Sequence, residues 1–261
     1  MISVVIPAKN AVKTLEGTLS SVSEELADRE FEIVLVDNGS NDATSVLAAE
    51  HGCRVLIKSG TVGECRVAGA KAANGGLLLF VDADQVLTSG CVDSALDAMN
   101  RESADAVVLP ERPLESAGWF YGLLDWERQL TERVGAGIPR LVGKERYLAV
   151  FGEMPGRVFA EDFNVGFAAW RIAISTRPIR HREPESLRAL LRKYYAYGSR
   201  AAMTGTNGPH TFGILIRLRA FAIGACQLRM NELPMLVPVL CLKALKGIAL
   251  LLGYILHAFN S

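Results

Sequence analysis

The sequence has no CxxC pair, and its five cysteines, Cys53, Cys65, Cys91, Cys226 and Cys241, are odd in number and scattered. That argues against a disulfide framework and a structural zinc site, and it predicts a reduced, cytosolic setting. No GxGxxG follows the first apolar run and no GxxxxGK[ST] occurs anywhere, which argues against a dinucleotide-binding fold and a P-loop nucleotidase. Internal repeats, Gly/Ser linkers and low-complexity tracts are also missing. Met1 to Ile6 lacks a basic leader, a long apolar core and a small-residue cleavage site, so no secretion signal is expected there. Prolines number 10 against 24 glycines in 261 residues, half of them apolar, which is a globular composition.

Net charge is lacking too, with 28 basic and 28 acidic residues, but the balance is uneven along the chain. Through Trp170 there are 15 basic and 25 acidic residues, and beyond it 13 and 3, giving charges of −10 and +10. A basic, apolar C-terminal third predicts an anionic partner, either a membrane surface or a nucleic acid.

Short apolar runs recur at Ile2 to Ile6, Phe31 to Val36, Arg54 to Ile57, Leu77 to Val81 and Ala106 to Leu109. Between them lie stretches with helical spacing, such as Leu15, Leu19, Val22 and Leu26. This alternation predicts an α/β fold, a parallel sheet with helices on both faces, over residues 1–205 as one domain. Residues 206–261 form a basic, apolar helical tail, with candidate helices in Phe212 to Gln227 and Met235 to Phe259. Neither reads as a clean membrane span: Arg217 and Arg219 interrupt the first, and the second leaves only Gly247 to Leu256 free of charge, short of the roughly 20 residues needed. Lys243, Lys246, Gly253 and His257 share one helical stripe, which predicts a helix lying in the headgroup layer with its lysines reaching outward. Packing on the domain, or an oligomer contact through these helices, is the main alternative, and a tilted transmembrane helix is a further one.

Pro7-Ala8-Lys9-Asn10 follows the first run, and Asp37-Asn38-Gly39-Ser40 the second. In an open parallel sheet these are carboxyl ends of strands, where ligands bind, so Asp37 is a candidate acceptor for a nucleobase or ribose. An ordinary turn with Asn and Asp capping the next helix explains the same residues. The fourth run ends Val81-Asp82-Ala83-Asp84-Gln85. Two carboxylates on the same side of an extended segment can share a divalent ion, or divide a ribose and an ion between them, where a helix cap or solvated turn is the plain alternative.

Taken in order, SVVIPAKN, FEIVLVDNGSNDAT, GTVGECRVAGAKAANGGLLLFVDAD and FAEDF closely resemble glycosyltransferase family 2 over residues 1 to about 200. The resemblance implies a GT-A (Rossmann-like) fold, a nucleotide-sugar donor, Mg²⁺ or Mn²⁺, and inverting transfer. It also implies that Pro7, Ala8, Asn10 and Asp37 contact the nucleoside, that Arg66 lies near the base or diphosphate, and that Asp82 holds the ribose. On the same resemblance Gly63 and Ala83 would belong to the donor site, and Asp84 would ligate the metal. Glu161 and Asp162 stand about 78 residues beyond the Asp82/Asp84 pair, after a Gly-rich loop. By the same resemblance Asp162 is the general base and Glu161 orients the acceptor; as a bare pair they read as a surface turn. Related enzymes often use a late histidine on the metal or diphosphate, and His181 is the positional candidate, imidazole suiting Mn²⁺ better than Mg²⁺; a lone histidine is more often structural. Val67 stands where the family often has Asn, and Gln85 where a third Asp is frequent.

Trp119, Leu123, Trp126 and Leu130 repeat at helical spacing, which suits a bilayer interface and core packing equally. Arg188, Arg192, Lys193 and Arg200 interleave with three tyrosines, but no nucleic-acid motif accompanies them, so anionic lipid is the expected partner and nucleic acid is not. The expectation is a metal-dependent transferase placing a sugar from a UDP- or GDP-type donor on a lipid-linked or glycan acceptor, peripheral or monotopic on the cytoplasmic membrane face. A polyprenyl-phosphate monosaccharide synthase is the alternative acceptor reading. A non-catalytic membrane scaffold or nucleotide sensor is the rival class, and the joint presence of Asp37, Asp82, Asp84 and Asp162 speaks against it.

Overall fold

A computed structural model describes residues 1–115, 118–132, 137–152, 170–203 and 232–258, with Ile223 and Cys226. It divides into two compact units, residues 1–112 with 137–181, and residues 113–136 with 182–261.

The first unit is a mixed α/β layer structure with a mostly parallel sheet flanked by helices. Its strands are β1 (Ile2–Ala8), β2 (Phe31–Asp37), β3 (Arg54–Ile57), β4 (Leu77–Phe80), β6 (Ala106–Val108), β8 (Pro139–Gly143) and β9 (Ile172–Ile174), in the order β3-β2-β1-β4-β8-β6-β9. The expected strands form at the expected apolar runs. Helices cover both faces, so Val4, Val5, Ile6, Val34, Leu35 and Val36 are all buried and the runs are continuous rather than alternating. The short strand β8 is a departure, lying antiparallel to both β4 and β6. Three short strands, β5 (Gln85–Val86), β7 (Glu111–Pro113) and β10 (Ile179–His181), form a second sheet ordered β5-β10-β7.

Helices α1 (Val12–Glu25), α2 (Thr44–Glu50), α3 (Val62–Ala72), α4 (Cys91–Glu102) and α6 (Lys144–Phe151) flank the large sheet. The stripe Leu15, Leu19, Val22 and Leu26 is fully buried, as its spacing predicts. Helix α3 starts with a capping box: Thr61 Oγ1 accepts from the Glu64 amide at 3.2 Å, and Glu64 Oε2 accepts from the Thr61 amide at 2.7 Å. Gly69 lets this helix approach the sheet, because a Cβ there would lie 2.4 Å from Val5 Cγ1. Burial pushes the Cys53 and Cys65 thiols up to about 11 and Cys91 to about 12, which makes them inert packing groups.

The second unit contains α5 (Trp119–Glu132), α7 (Leu187–Met203) and α8 (Leu236–Ala258). Leu123, Leu124, Leu130, Leu190, Val239 and Leu242 form its core, while Trp119 is exposed. Helices α7 and α8 meet at two glycines, where a Cβ on Gly198 would lie 1.9 Å from the Leu250 carbonyl oxygen and one on Gly253 2.0 Å from that of Tyr195.

Lys243, Lys246 and Gly253 share a stripe as their spacing predicts, but the outward lysines expected from the sequence are not observed. Lys246 is buried and donates to Glu127 of α5, and Lys243 reaches the same carboxylate at 3.1 Å. The physical reason is that a buried carboxylate supplies the counter-charge inside the unit, so the ammonium groups have no need to reach water. The opposite face, including Val237, Leu240, Ile248, Leu251, Leu252 and Leu256, is exposed. By length and composition alone, Leu236–His257 of α8 is long and apolar enough to cross a membrane, a wider span than the charge-free Gly247 to Leu256.

Burial works to raise the Glu127 carboxyl, but Lys246 and Lys243 outweigh it and hold the group below its ordinary range. A depressed carboxyl contributes stability that is complete above about pH 4.5 and is lost as pH falls through the lower folded value. Glu127→Ala should therefore lower unfolding free energy by about 3 kcal/mol at pH 7. In urea titrations the gap to wild type should shrink in acid.

Candidate functional site

The carboxyl ends of β1, β2 and β4 bring together the loops singled out in the sequence. Ala8 pairs with Asp37 in register, so the two turns that follow leave the sheet side by side. Asn10 adopts a left-handed conformation with φ 51°, and its Oδ1 accepts from the Asn41 amide at 2.8 Å while its own amide donates to Ser40 Oγ at 2.9 Å. Asp37 is buried beneath them, accepting at Oδ1 from the Ser40 amide at 2.9 Å and Ser40 Oγ at 2.6 Å, and at Oδ2 from Ser45 Oγ. Asp37 therefore orders its own loop, the turn-capping role, and Oδ2 keeps the larger share of unused acceptor capacity. Pro7 is half-buried and Ala8 buried at the end of β1, and Gly63 is buried in the first turn of α3, one turn before Arg66.

Asp82 stands two residues beyond the end of β4, between two buried arginines. Arg66 Nη2 donates to Oδ1 at 2.6 Å and Arg140 Nη2 to Oδ2 at 3.0 Å. Arg140 Nη2 also reaches Glu111 Oε1 at 2.5 Å. Gln85 closes a ring, accepting from the Asp82 amide at 2.9 Å and donating to Glu111 Oε1 at 3.2 Å. Burial works to raise the Asp82 carboxyl, but the Arg140 and Arg66 guanidiniums overcome it and hold the group far below the usual carboxylate range. Arg140 is pushed further up by the same partners, against the effect of its burial. Ala83 is buried between the two aspartates.

Asp84 and His181, 97 residues apart, are brought together by the antiparallel pairing of β5 and β10, which sets His181 opposite Gln85. His181 Nε2 lies 3.4 Å from Asp84 Oδ2; the imidazole is buried and the carboxylate is 38% exposed. One carboxylate oxygen and one imidazole nitrogen at this separation fit a divalent ion that takes its remaining ligands from phosphate and water. Among the described residues no group of three or more His, Cys, Asp or Glu side chains forms a fuller cage. Glu161 and Asp162 lie outside the described residues.

Sequence reasoning passed over Arg140 and Glu111. The available signal was an arginine inside the short run Pro139-Arg140-Leu141-Val142, where an ionised side chain on an otherwise apolar strand requires a counter-charge.

Residues 3–159 match the family model described as Glycosyl transferase family 2. Over 94 residues the chain is 31% identical to glucosyl-3-phosphoglycerate synthase of Mycobacterium tuberculosis (strain ATCC 25618 / H37Rv), covering 33% of this chain and 29% of that protein. Over 124 residues it is 26% identical to poly(ribitol-phosphate) beta-N-acetylglucosaminyltransferase TarS of Staphylococcus aureus (strain MW2), covering 44% and 22%. The matched stretches thus span less than a third of these relatives' own lengths. Among solved structures, S. aureus TarS 1-349 in complex with UDP-GlcNAc aligns with a TM-score of 0.54 at 14% identity, over 99% of this chain and 90% of that one. Glucosyl-3-phosphoglycerate synthase from Mycobacterium tuberculosis in complex with phosphoglyceric acid aligns at 0.52 and 20% identity, over 70% and 72%. At these identities the structural likeness is one of fold.

Proposed function

The chain belongs to glycosyltransferase family 2, and from that premise we propose that it moves a sugar from a nucleoside diphosphate donor to an acceptor hydroxyl with inversion. The observation that carries this reading is the convergence of Asp82, held between Arg66 and Arg140, with the Asp84–His181 pair at the carboxyl ends of β1 and β4. Asp82 would accept from a ribose hydroxyl, and the loops of Asn10 and Asp37, tied together by the Asn10 bonds to Ser40 and Asn41, would receive the base. Asp84 and His181 would hold Mg²⁺ or Mn²⁺, which when bound offsets the charge of the departing diphosphate. Asp162 would take the acceptor proton and Glu161 would orient the acceptor. A thermal-shift screen of sugar nucleotides with and without Mn²⁺ tests the donor reading. A nucleotide at 100 times its dissociation constant adds about 2.7 kcal/mol of stability, and no shift with any UDP- or GDP-sugar would count against it.

The acceptor is proposed to be lipid-linked and the site of action the cytoplasmic face of a membrane. The support is the outer face of α8, where Val237 to Leu256 presents an uncharged stripe about 29 Å long by helical rise, close to the roughly 30 Å of a bilayer's hydrocarbon. The lysines that would interrupt it are turned onto Glu127. Ile248→Glu with Leu252→Glu places two charges on this stripe without touching the core. The pair should abolish flotation with anionic liposomes while leaving nucleotide binding intact. Equal flotation of variant and wild type would remove this face from membrane contact.

A further inference from the structure

We propose that Arg140, with Glu111 beside it, positions Asp82 for the donor nucleotide. The inference rests on reading the crevice as a donor site and adds to it two residues that do not themselves meet the ligand.

Arg140 stands on β8, an interior strand of the seven-stranded sheet between β4 and β6, next to the buried Leu141 and Val142. Its side chain is only 3% exposed, yet a single nitrogen, Nη2, makes both of its ion pairs. Nε and Nη1 are buried without a hydrogen-bond partner among the described residues. A guanidinium in this state has lost its hydration and recovered only part of it, so a well-packed apolar side chain would serve stability at least as well. Stability therefore does not account for an arginine here, and its use lies at the group it grips.

That group is Asp82. With Arg66 on Oδ1 and Arg140 on Oδ2, the carboxylate has one orientation, and 27% of the side chain remains open. A carboxylate keeps acceptor capacity after two such bonds, so the open edge can receive a sugar hydroxyl without first reorganising. Glu111 balances the second guanidinium, leaving two positive and two negative charges in the cluster. Gln85 explains its own departure from the family pattern: its amide donates to Glu111, which an aspartate could not do, and a carboxylate there would add a third negative charge. Because Arg140 acts through Asp82, it is a positioning residue.

The test uses calorimetric titration of UDP and of GDP, each with Mn²⁺, into the wild-type chain, Arg140→Lys, and the double variant Arg140→Met/Glu111→Leu. The double variant removes one charge of each sign. It is expected to unfold at or above the wild-type temperature and to bind nucleotide about 10- to 100-fold more weakly, the loss matching one or two charge-assisted contacts. Arg140→Lys keeps the charge but not the fork and should fall between. A purely structural role gives the opposite split, a lower melting temperature with a dissociation constant within twofold of wild type, and overturns the proposal. If the double variant does not fold, an unchanged dissociation constant in Arg140→Lys overturns it alone. Wild-type protein that binds neither nucleotide would overturn the donor reading as well, so the two failures are distinguishable.

Discussion

Asp162→Asn is expected to lower turnover by roughly 10² to 10⁴ while donor affinity stays within a few-fold, the size of effect usual for losing a general base. The substitution keeps shape and removes the ability to take a proton. A hydroxyl acceptor must lose its proton during attack, so single-turnover rates report the loss directly. A polyprenyl phosphate arrives already ionised, and a loss below about tenfold would favour that acceptor or displace Asp162 from the role. Loss of donor binding instead would assign Asp162 to the nucleotide site.

Asp84→Ala should remove the metal-dependent part of nucleotide binding altogether. Asp84 is the more exposed member of the pair and the one whose oxygen suits a hard cation, whereas His181 is buried behind it. Calorimetry of UDP with and without Mn²⁺ should give two equal, weak dissociation constants for this variant and two different ones for wild type. His181→Ala should narrow the difference without abolishing it, because one carboxylate with phosphate and water still makes a usable ligand set. An Asp84→Ala protein that responds to Mn²⁺ like wild type would end the metal assignment for both residues.

The strands and the first helices were legible because each is specified locally. Ile2 to Ile6, Phe31 to Val36 and Leu77 to Val81 are apolar throughout since both faces of their sheet are covered, and Leu15, Leu19, Val22 and Leu26 return every turn to one face. The loops bearing Asn10, Asp37, Asp82 and Asp84 could be placed from the same information, as each follows a strand end. The strand β8 was not legible, because Pro139 and Arg140 at its start and Gly143 at its end leave only Leu141 and Val142 as an apolar run.

By itself the sequence determined the five apolar strands from β1 to β6 that it marks as continuous runs, which carboxylates stand at strand ends, and the family to which their order belongs. Only the tertiary structure decided what those groups touch. Arg140 reaches Asp82 across 58 residues, His181 meets Asp84 across 97, and Lys246 finds Glu127 across 119. The lysine stripe is the plainest case: helical period places Lys243 and Lys246 on one face, but the same period is satisfied with that face toward lipid headgroups or toward a buried carboxylate. Periodicity records the repeat of an element and not the identity of its neighbour, so the direction of a charged face is settled only by whichever counter-charge packing brings within reach.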